Sequence, residues 1–170
     1  MFYKNASFIE DFKCLIEKCN QVILNIYQKD FDVIIKEDKS PLTQADKESN
    51  DIIVSYLKKL NQKLIQETNE TFTIISEESI KEDYEKRKEC TYTWLVDPID
   101  GTKEFIKRNG QFTVNIGLCK NGIPVFGIVS IPVCGTIYIG VEGLGSVKYN
   151  NNISHPLKII KNKNLNKKNI

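Results

Sequence analysis

The sequence has no long apolar run and no excess of charge of either sign. No stretch approaches the roughly 20 apolar residues that span a bilayer, and the amino-terminal segment lacks the apolar core of a secretory signal. Lysine and arginine total 24, aspartate and glutamate total 22, and the formal net charge is +2. This balance gives no electrostatic reason to expect nucleic acid or an anionic membrane as the main partner. We therefore expect a soluble cytoplasmic protein with no nucleic-acid partner.

Cysteine and histidine are too scattered for a disulfide framework or a structural zinc site. The five cysteines include no C-x-x-C pair, and His155 is the one histidine that could join them. An odd number of thiols without such spacing favours reduced cysteines in the cytosol.

Hydrophobic residues make up 41% of the chain, which fits one domain with a sizeable core. Apolar residues recur at helical steps from Phe8 to Ile26 and again from about Thr43 to Leu64. Strands are predicted at residues 31–36, 72–75, 92–96, 112–118, 125–131, 136–140, 146–149 and 157–160, and a charged solvated connection at 80–90. Two helices followed by strands joined by turns predict an α+β fold, with the helices packed on a largely antiparallel sheet. We predict one domain over residues 1–160 and a Lys/Asn-rich tail over 161–170.

The most informative stretch is a strand that ends in a tight acidic turn, Trp94-Leu-Val-Asp97-Pro98-Ile99-Asp100-Gly101-Thr102. Proline fixes one backbone angle there, and glycine permits a conformation that other residues rarely adopt. Two carboxylates three positions apart, Asp97 and Asp100, can then converge with the carbonyl oxygen of Ile99. Such oxygen ligands suit a hard cation such as Mg²⁺.

A short helix is predicted from Lys103 to Arg108, directly after this turn. The amides of Gly101 and Thr102 would lie at its amino terminus, where a phosphate oxygen is favoured. One turn would thus carry both metal ligands and N–H groups that bind phosphate, and this combination predicts hydrolysis of a phosphate monoester. In such a reaction, paired metal ions roughly 3.5–4 Å apart neutralise the charge of the phosphate and orient the attacking water.

Two further acidic residues are candidates for the same site. Glu77, at the end of a predicted strand, is the best third metal ligand, and Asp46 could orient a water through the Thr102 hydroxyl. Each has a simpler explanation. Glu77-Glu78 alone is more often a solvated acidic corner, and the spacing of Asp46 from Thr43 is that of a helix capping box.

The run from Trp94 to Thr102 resembles the metal-binding signature of the inositol monophosphatase superfamily. Its continuation is similar to the CysQ branch of that superfamily, the 3'(2'),5'-bisphosphate nucleotidases: Lys103-Glu-Phe-Ile-Lys-Arg-Asn-Gly-Gln-Phe-Thr-Val-Asn-Ile116. Two flanking segments also match, Ser40-Pro-Leu-Thr-Gln-Ala-Asp46 and Ser76-Glu-Glu78. The resemblance extends from the first helix to about Ile160.

This resemblance implies a role for each matching residue. Glu77 corresponds to the first metal ligand, Asp97 to the bridging ligand, Ile99 to a backbone-carbonyl ligand and Asp100 to a ligand of the second metal. Asp46 and Thr102 correspond to the pair that activates the nucleophilic water. Substrate contacts are implied for Glu77, Ile99, Asp100, Gly101 and Thr102.

The resemblance also implies a substrate, a cofactor and a location. The usual substrate of the branch is 3'-phosphoadenosine 5'-phosphate, converted to AMP and phosphate, with Mg²⁺ required and Li⁺ inhibitory. The implied location is the cytoplasm, with peripheral association at the cytoplasmic face of the inner membrane as a further expectation. The alternatives are an inositol or sugar phosphatase of the same superfamily, and a non-catalytic magnesium-binding remnant.

The superfamily fold stacks helices and sheets in αβαβα layers, and this chain would supply its amino-terminal half. Family members continue into a second domain with a Trp-Asp motif that completes the second metal site. Trp94 is the one tryptophan in this sequence, and no such motif follows it. We therefore expect a truncated or split chain with one incomplete metal site, and exposed apolar surface that binds the missing half or another copy.

Overall fold

The computed structural model describes residues 1–37, 40–79, 83–150 and 153–158. Two long helices, α1 (Ala6–Tyr27) and α2 (Gln44–Thr68), lie on one face of a seven-stranded sheet. The strands of the sheet are β3 (Phe72–Ser76), β4 (Tyr92–Asp100), β5 (Thr113–Lys120), β6 (Ile123–Ile131), β7 (Thr136–Val141), β8 (Gly145–Asn150) and β9 (Ile153–Leu157). They are neighbours in chain order. Among the described strands only the β3–β4 pair is parallel, so the predicted α+β class with a largely antiparallel sheet is confirmed.

Smaller elements complete the described chain. A two-stranded hairpin, β1 (Val33–Ile35) and β2 (Pro41–Thr43), precedes α2. Short helices α3 (Tyr84–Lys88) and α4 (Thr102–Ile106) flank β4, and single 3-10 turns lie at Phe2–Lys4 and Pro132–Cys134. None of the described helices is long and apolar enough to cross a membrane.

The core lies between the two long helices and the sheet. Trp94 is fully buried at its centre; its ring stacks on Phe12 with centroids 5.3 Å apart, and its Nε1–H donates to Asn61 Oδ1 at 2.9 Å. Every second residue of β5 faces this core, as the alternation of Val114, Ile116 and Leu118 predicts. Burial of these apolar side chains holds β3, β4 and β5, and hence the site at their ends, in fixed register.

The opposite face of the sheet carries no described helix. Leu95 and Val129 stay 44% and 38% exposed there. Three glycines, Gly117, Gly127 and Gly140, lie side by side on β5, β6 and β7 in that face. This surface, the helix-free face, therefore exposes apolar side chains around a row of glycines.

The boundaries of several elements differ from those predicted. The motif strand continues to Asp100 rather than ending at Val96, because Asp97 and Asp100 keep pairing with β5 across an irregular register. The charged connection at 80–90 contains α3, and the segment around Pro41 pairs as β2 because its backbone bonds to β1. The predicted strand at 157–160 begins earlier, as β9, and its last two residues and the tail at 161–170 lie outside the described residues.

Candidate active site

Asp46 and Thr102 meet at the junction of α2 and α4. Asp46 is 1% exposed, and its Oδ2 accepts the Thr43 N–H at 2.8 Å and the Thr43 hydroxyl at 2.5 Å, which confirms the capping box. Its other oxygen, Oδ1, accepts the Thr102 hydroxyl at 3.3 Å. The structure therefore brings together the pair that the sequence placed 56 positions apart.

The turn between β4 and α4 depends on Gly101. Its φ is +98°, in the left-handed region, and a Cβ there would lie 2.8 Å from the carbonyl oxygen of Gln111. The turn directs the carbonyl oxygen of buried Ile99 to within 3.2 Å of Thr102 Oγ1, so the single proton of the Thr102 hydroxyl is shared between this carbonyl and Asp46 Oδ1. Ile99, Gly101 and Thr102 thus share one corner.

Glu77 and Asp97 are brought close by the parallel pairing of β3 and β4. The Glu77 N–H donates to the carbonyl oxygen of Val96 at 3.1 Å, so both carboxylates leave the sheet at the same edge. Burial, followed by the negative charges of Glu77 and Asp100, raises the pKa of Asp97 to about 7. Three acidic groups at one corner repel one another, and a bound cation would relieve that repulsion.

Asn115 joins this group, although no sequence motif indicates a role for it. It lies opposite Asp97 on β5, and its Nδ2 donates to Asp100 Oδ2 at 3.3 Å. Asp97 Oδ1 and Asn115 Oδ1 are both buried and accept no hydrogen bond from any described residue. The only signal in the sequence was the position of Asn115 on the face of β5 opposite the apolar residues, which becomes meaningful once the register is known.

Lys36 and Glu78 were also absent from the predicted site. The Lys36 ammonium forms an ion pair with Glu78 and lies 3.9 Å from Glu77 Oε1. The β1–β2 hairpin therefore supplies a positive charge beside the acidic corner. Burial raises the pKa of Glu78 in spite of this neighbour.

The residues at this corner fit a hard divalent cation, because unpaired buried oxygens and clustered carboxylates are the ligands that Mg²⁺ prefers. Within the described ranges, however, no three His, Cys, Asp or Glu side chains gather tightly enough to form a finished metal cage. Glu77 is solvent-exposed beside Lys36, and Asp100 is exposed beside Asn115. The ligands therefore share a corner without converging on a point.

An open cavity of about 340 Å³ adjoins this corner on the helix-free face. Its lining includes Glu77, Asp97 and Asn115 at the polar end and Leu95 and Gly117 at the apolar end. A larger cavity of about 460 Å³ lies between α1 and the β7–β8 pair and contains none of the predicted site residues.

The chain is similar to known proteins in sequence and in fold. Residues 5–170 match the model of the inositol monophosphatase family. The chain is 40% identical over 131 residues to the 3'(2'),5'-bisphosphate nucleotidase CysQ of Escherichia coli strain K12, covering 76% of this chain and 50% of that protein. It therefore spans about half the length of the curated relatives it matches.

Solved structures show the same fold. CysQ from Bacteroides thetaiotaomicron, a bacterial member of the inositol monophosphatase family, superposes with a TM-score of 0.62 at 40% identity, over 85% of this chain and 49% of that one. An inositol monophosphatase/NADP phosphatase complexed with Mg²⁺ and phosphate superposes with a TM-score of 0.61 at 20% identity, over 85% of this chain and 51% of that one. At that identity the second likeness shows the fold alone.

Proposed function

The chain belongs to the inositol monophosphatase family, and from that membership we propose that it forms the metal-binding part of a magnesium-dependent phosphatase that removes the 3'-phosphate of a small nucleotide. The substrate we propose is 3'-phosphoadenosine 5'-phosphate, because a CysQ protein that is 40% identical to this chain is named a 3'(2'),5'-bisphosphate nucleotidase. The observation that carries the proposal is the Asp46–Thr102 hydrogen bond, which lies beside the acidic corner of Glu77, Asp97 and Asp100.

Each group at the corner has a role in this proposal. Mg²⁺, when bound by Glu77, Asp97, Asp100 and the carbonyl oxygen of Ile99, would neutralise charge on the phosphoryl group. The Thr102 hydroxyl orients the attacking water, and Asp46 Oδ1 accepts the hydrogen bond that holds this hydroxyl in place. As the water attacks phosphorus and the P–O bond to the nucleotide breaks, the water gives a proton to Thr102 Oγ1 while the Thr102 hydroxyl proton moves to Asp46 Oδ1.

The amides of Gly101 and Thr102 are the proposed contacts of the phosphate group. The side chains of Glu77 and Asp100 and the carbonyl of Ile99 would hold Mg²⁺, and would complete the proposed substrate contacts through it. Asn115 Nδ2 keeps Asp100 oriented, because it donates to the carboxylate from the neighbouring strand.

We also propose that the second half of the family fold covers the helix-free face. The chain spans about half the length of its CysQ relatives. The helix-free face exposes Leu95 and Val129 beside the candidate site. In the absence of that half, self-association through the same face is expected. If the chain sediments only as a monomer at high protein concentration, this part of the proposal is wrong.

The function is tested by phosphate release from 3'-phosphoadenosine 5'-phosphate and from inositol monophosphate, each with Mg²⁺ and with a chelator. The assay is run with the chain alone and with the unmatched half of E. coli CysQ added as a separate polypeptide. Faster release from the nucleotide, lost with the chelator and in the Asp97→Asn variant, is the expected result. A preference for the inositol ester would instead support the second candidate substrate class.

A non-catalytic magnesium-binding form is the second candidate function. It is considered because the chain spans half the length of CysQ and because no three acidic side chains among the described residues form a finished cage, so this half alone would bind the metal too weakly for turnover. Magnesium binding by calorimetry, without phosphate release under any of these conditions, would establish this form.

A further inference from the structure

The glutamates follow β3 in a tight turn that spans Ser76 to Ser79. The Ser79 N–H donates to the carbonyl oxygen of Ser76 at 3.4 Å, so Glu77 and Glu78 are the two central residues of the turn. The direction in which Glu77 leaves the sheet therefore depends on what holds the two ends of this turn.

One buried amide holds both ends. Asn50, on α2, is 7% exposed, and its Oδ1 accepts the Ser76 hydroxyl at 2.6 Å. The Ser79 hydroxyl lies 3.4 Å from the same oxygen and 3.3 Å from Asn50 Nδ2. An amide suits this place because it offers an acceptor and a donor without adding charge next to two glutamates.

The position of Asn50 on α2 connects it to the other part of the site. Asp46 and Asn50 are four residues apart, so they lie on the same face of the helix in successive turns. Asp46 contacts Thr102, and Asn50 contacts the ends of the glutamate turn. Two turns of one rigid helix thus set the relative positions of the hydroxyl that orients water and the carboxylate that binds metal.

We infer that Asn50 is a positioning residue: through Ser76 and Ser79 it fixes the glutamate turn so that Glu77 faces Asp97 as a metal ligand. This inference rests on the proposed function, because it assigns Glu77 to the metal. Nothing in the sequence motif indicated Asn50, which lies between the two matching segments.

The test uses a matched control on the same helix. Asn61 is 8% exposed and is also a buried hydrogen-bond acceptor, but its partner is the indole of Trp94, away from the site. Asn50→Ala and Asn61→Ala both remove a buried amide from α2. Calorimetry with Mg²⁺ should show affinity about 10-fold weaker for Asn50→Ala, the range found when a residue that orients a metal ligand is lost. Asn61→Ala should leave the affinity within about twofold of wild type, since it touches no proposed ligand.

Ser76→Ala gives a milder second variant, in case Asn50→Ala fails to fold. It should weaken Mg²⁺ binding less than Asn50→Ala, which also loses the Ser79 contact, and the double variant should lose little more than Asn50→Ala alone, because both changes remove the hydrogen bond between Ser76 and Asn50. Equal losses for Asn50→Ala and Asn61→Ala, or fully additive losses for Asn50→Ala and Ser76→Ala, would overturn the inference.

Hydrogen exchange of the metal-free protein separates this inference from the proposed function. Asn50→Ala should speed exchange in the peptide that spans residues 76–79, whereas Asn61→Ala should not. Unchanged exchange there would refute the positioning role even if Mg²⁺ binds. If wild-type protein binds no Mg²⁺, or Asp97→Asn binds it as well as wild type, the proposed metal site fails, and with it the assignment of Glu77 as the ligand that Asn50 positions.

Discussion

Replacing glycine by alanine should have opposite effects on stability at two positions. At Gly101, φ is +98° and the added Cβ would lie 2.8 Å from a backbone oxygen. The left-handed conformation costs a non-glycine residue about 1–2 kcal/mol, and relieving the contact adds on the order of 1–3 kcal/mol. We expect Gly101→Ala to lower the free energy of unfolding by about 3 kcal/mol, or roughly 6–12 °C in Tm for a chain of this size.

Gly127 provides the opposite case within the same sheet. Its φ lies outside the left-handed region, and the nearest atom to an added Cβ is the carbonyl oxygen of Ile116 at 4.0 Å. Nothing in the described chain requires glycine there, and alanine restricts the unfolded chain more than glycine does. We therefore expect Gly127→Ala to raise the free energy of unfolding by about 0.5–1 kcal/mol.

Urea denaturation followed by the fluorescence of Trp94, which is fully buried, measures both variants in the same way. A Gly101→Ala variant as stable as wild type would show that the acidic turn does not require glycine at this position. A loss of stability in Gly127→Ala would show instead that the helix-free face is already packed against another part of the chain.

Three further changes test the core and the site. Asp97→Asn should abolish Mg²⁺ binding in calorimetry without lowering the Tm of the metal-free protein, because it removes one of three crowded charges; a large fall in Tm would show that the carboxylate is a structural group. Trp94→Phe should lower the free energy of unfolding by about 2–3 kcal/mol in urea denaturation followed by circular dichroism, since Asn61 Oδ1 loses its buried donor; a change below about 0.5 kcal/mol would contradict that hydrogen bond. A thiol reagent should label exposed Cys134 in the folded protein but Cys19 only after denaturation, because burial raises the pKa of the Cys19 thiol to about 12; rapid labelling of Cys19 in buffer would indicate that α1 opens readily.

The elements that could be predicted from the sequence are those with strong local patterns. The apolar stripe of α2, together with the spacing of Thr43 and Asp46, placed the start of that helix correctly. The alternation in β5 likewise predicted which side chains are buried. Strand β2 was missed because three residues, Pro41–Thr43, carry no periodicity, and their conformation depends on pairing with β1.

The same distinction explains which site residues were found. The residues from Asp97 to Thr102 are covalently adjacent, so one turn brings them together wherever the rest of the chain lies. Lys36, Asn50 and Asn115 reach the site only through long-range contacts: a hairpin, the face of a helix and the register of β5 with β4. A single polar residue on each of these elements has no local pattern that would distinguish it from a solvated one.

Asp46 shows how the structure can resolve a choice that the sequence left open. As a capping residue it needs one oxygen for the Thr43 N–H and hydroxyl, and Oδ2 alone accepts both. The capping role therefore leaves Oδ1 available at a position that is almost fully buried, where an unused carboxylate oxygen would be costly. Oδ1 instead lies 3.3 Å from Thr102 Oγ1. The two interpretations are thus compatible: the cap fixes the carboxylate in the orientation that the Thr102 contact requires, so the start of α2 also determines the geometry of the site.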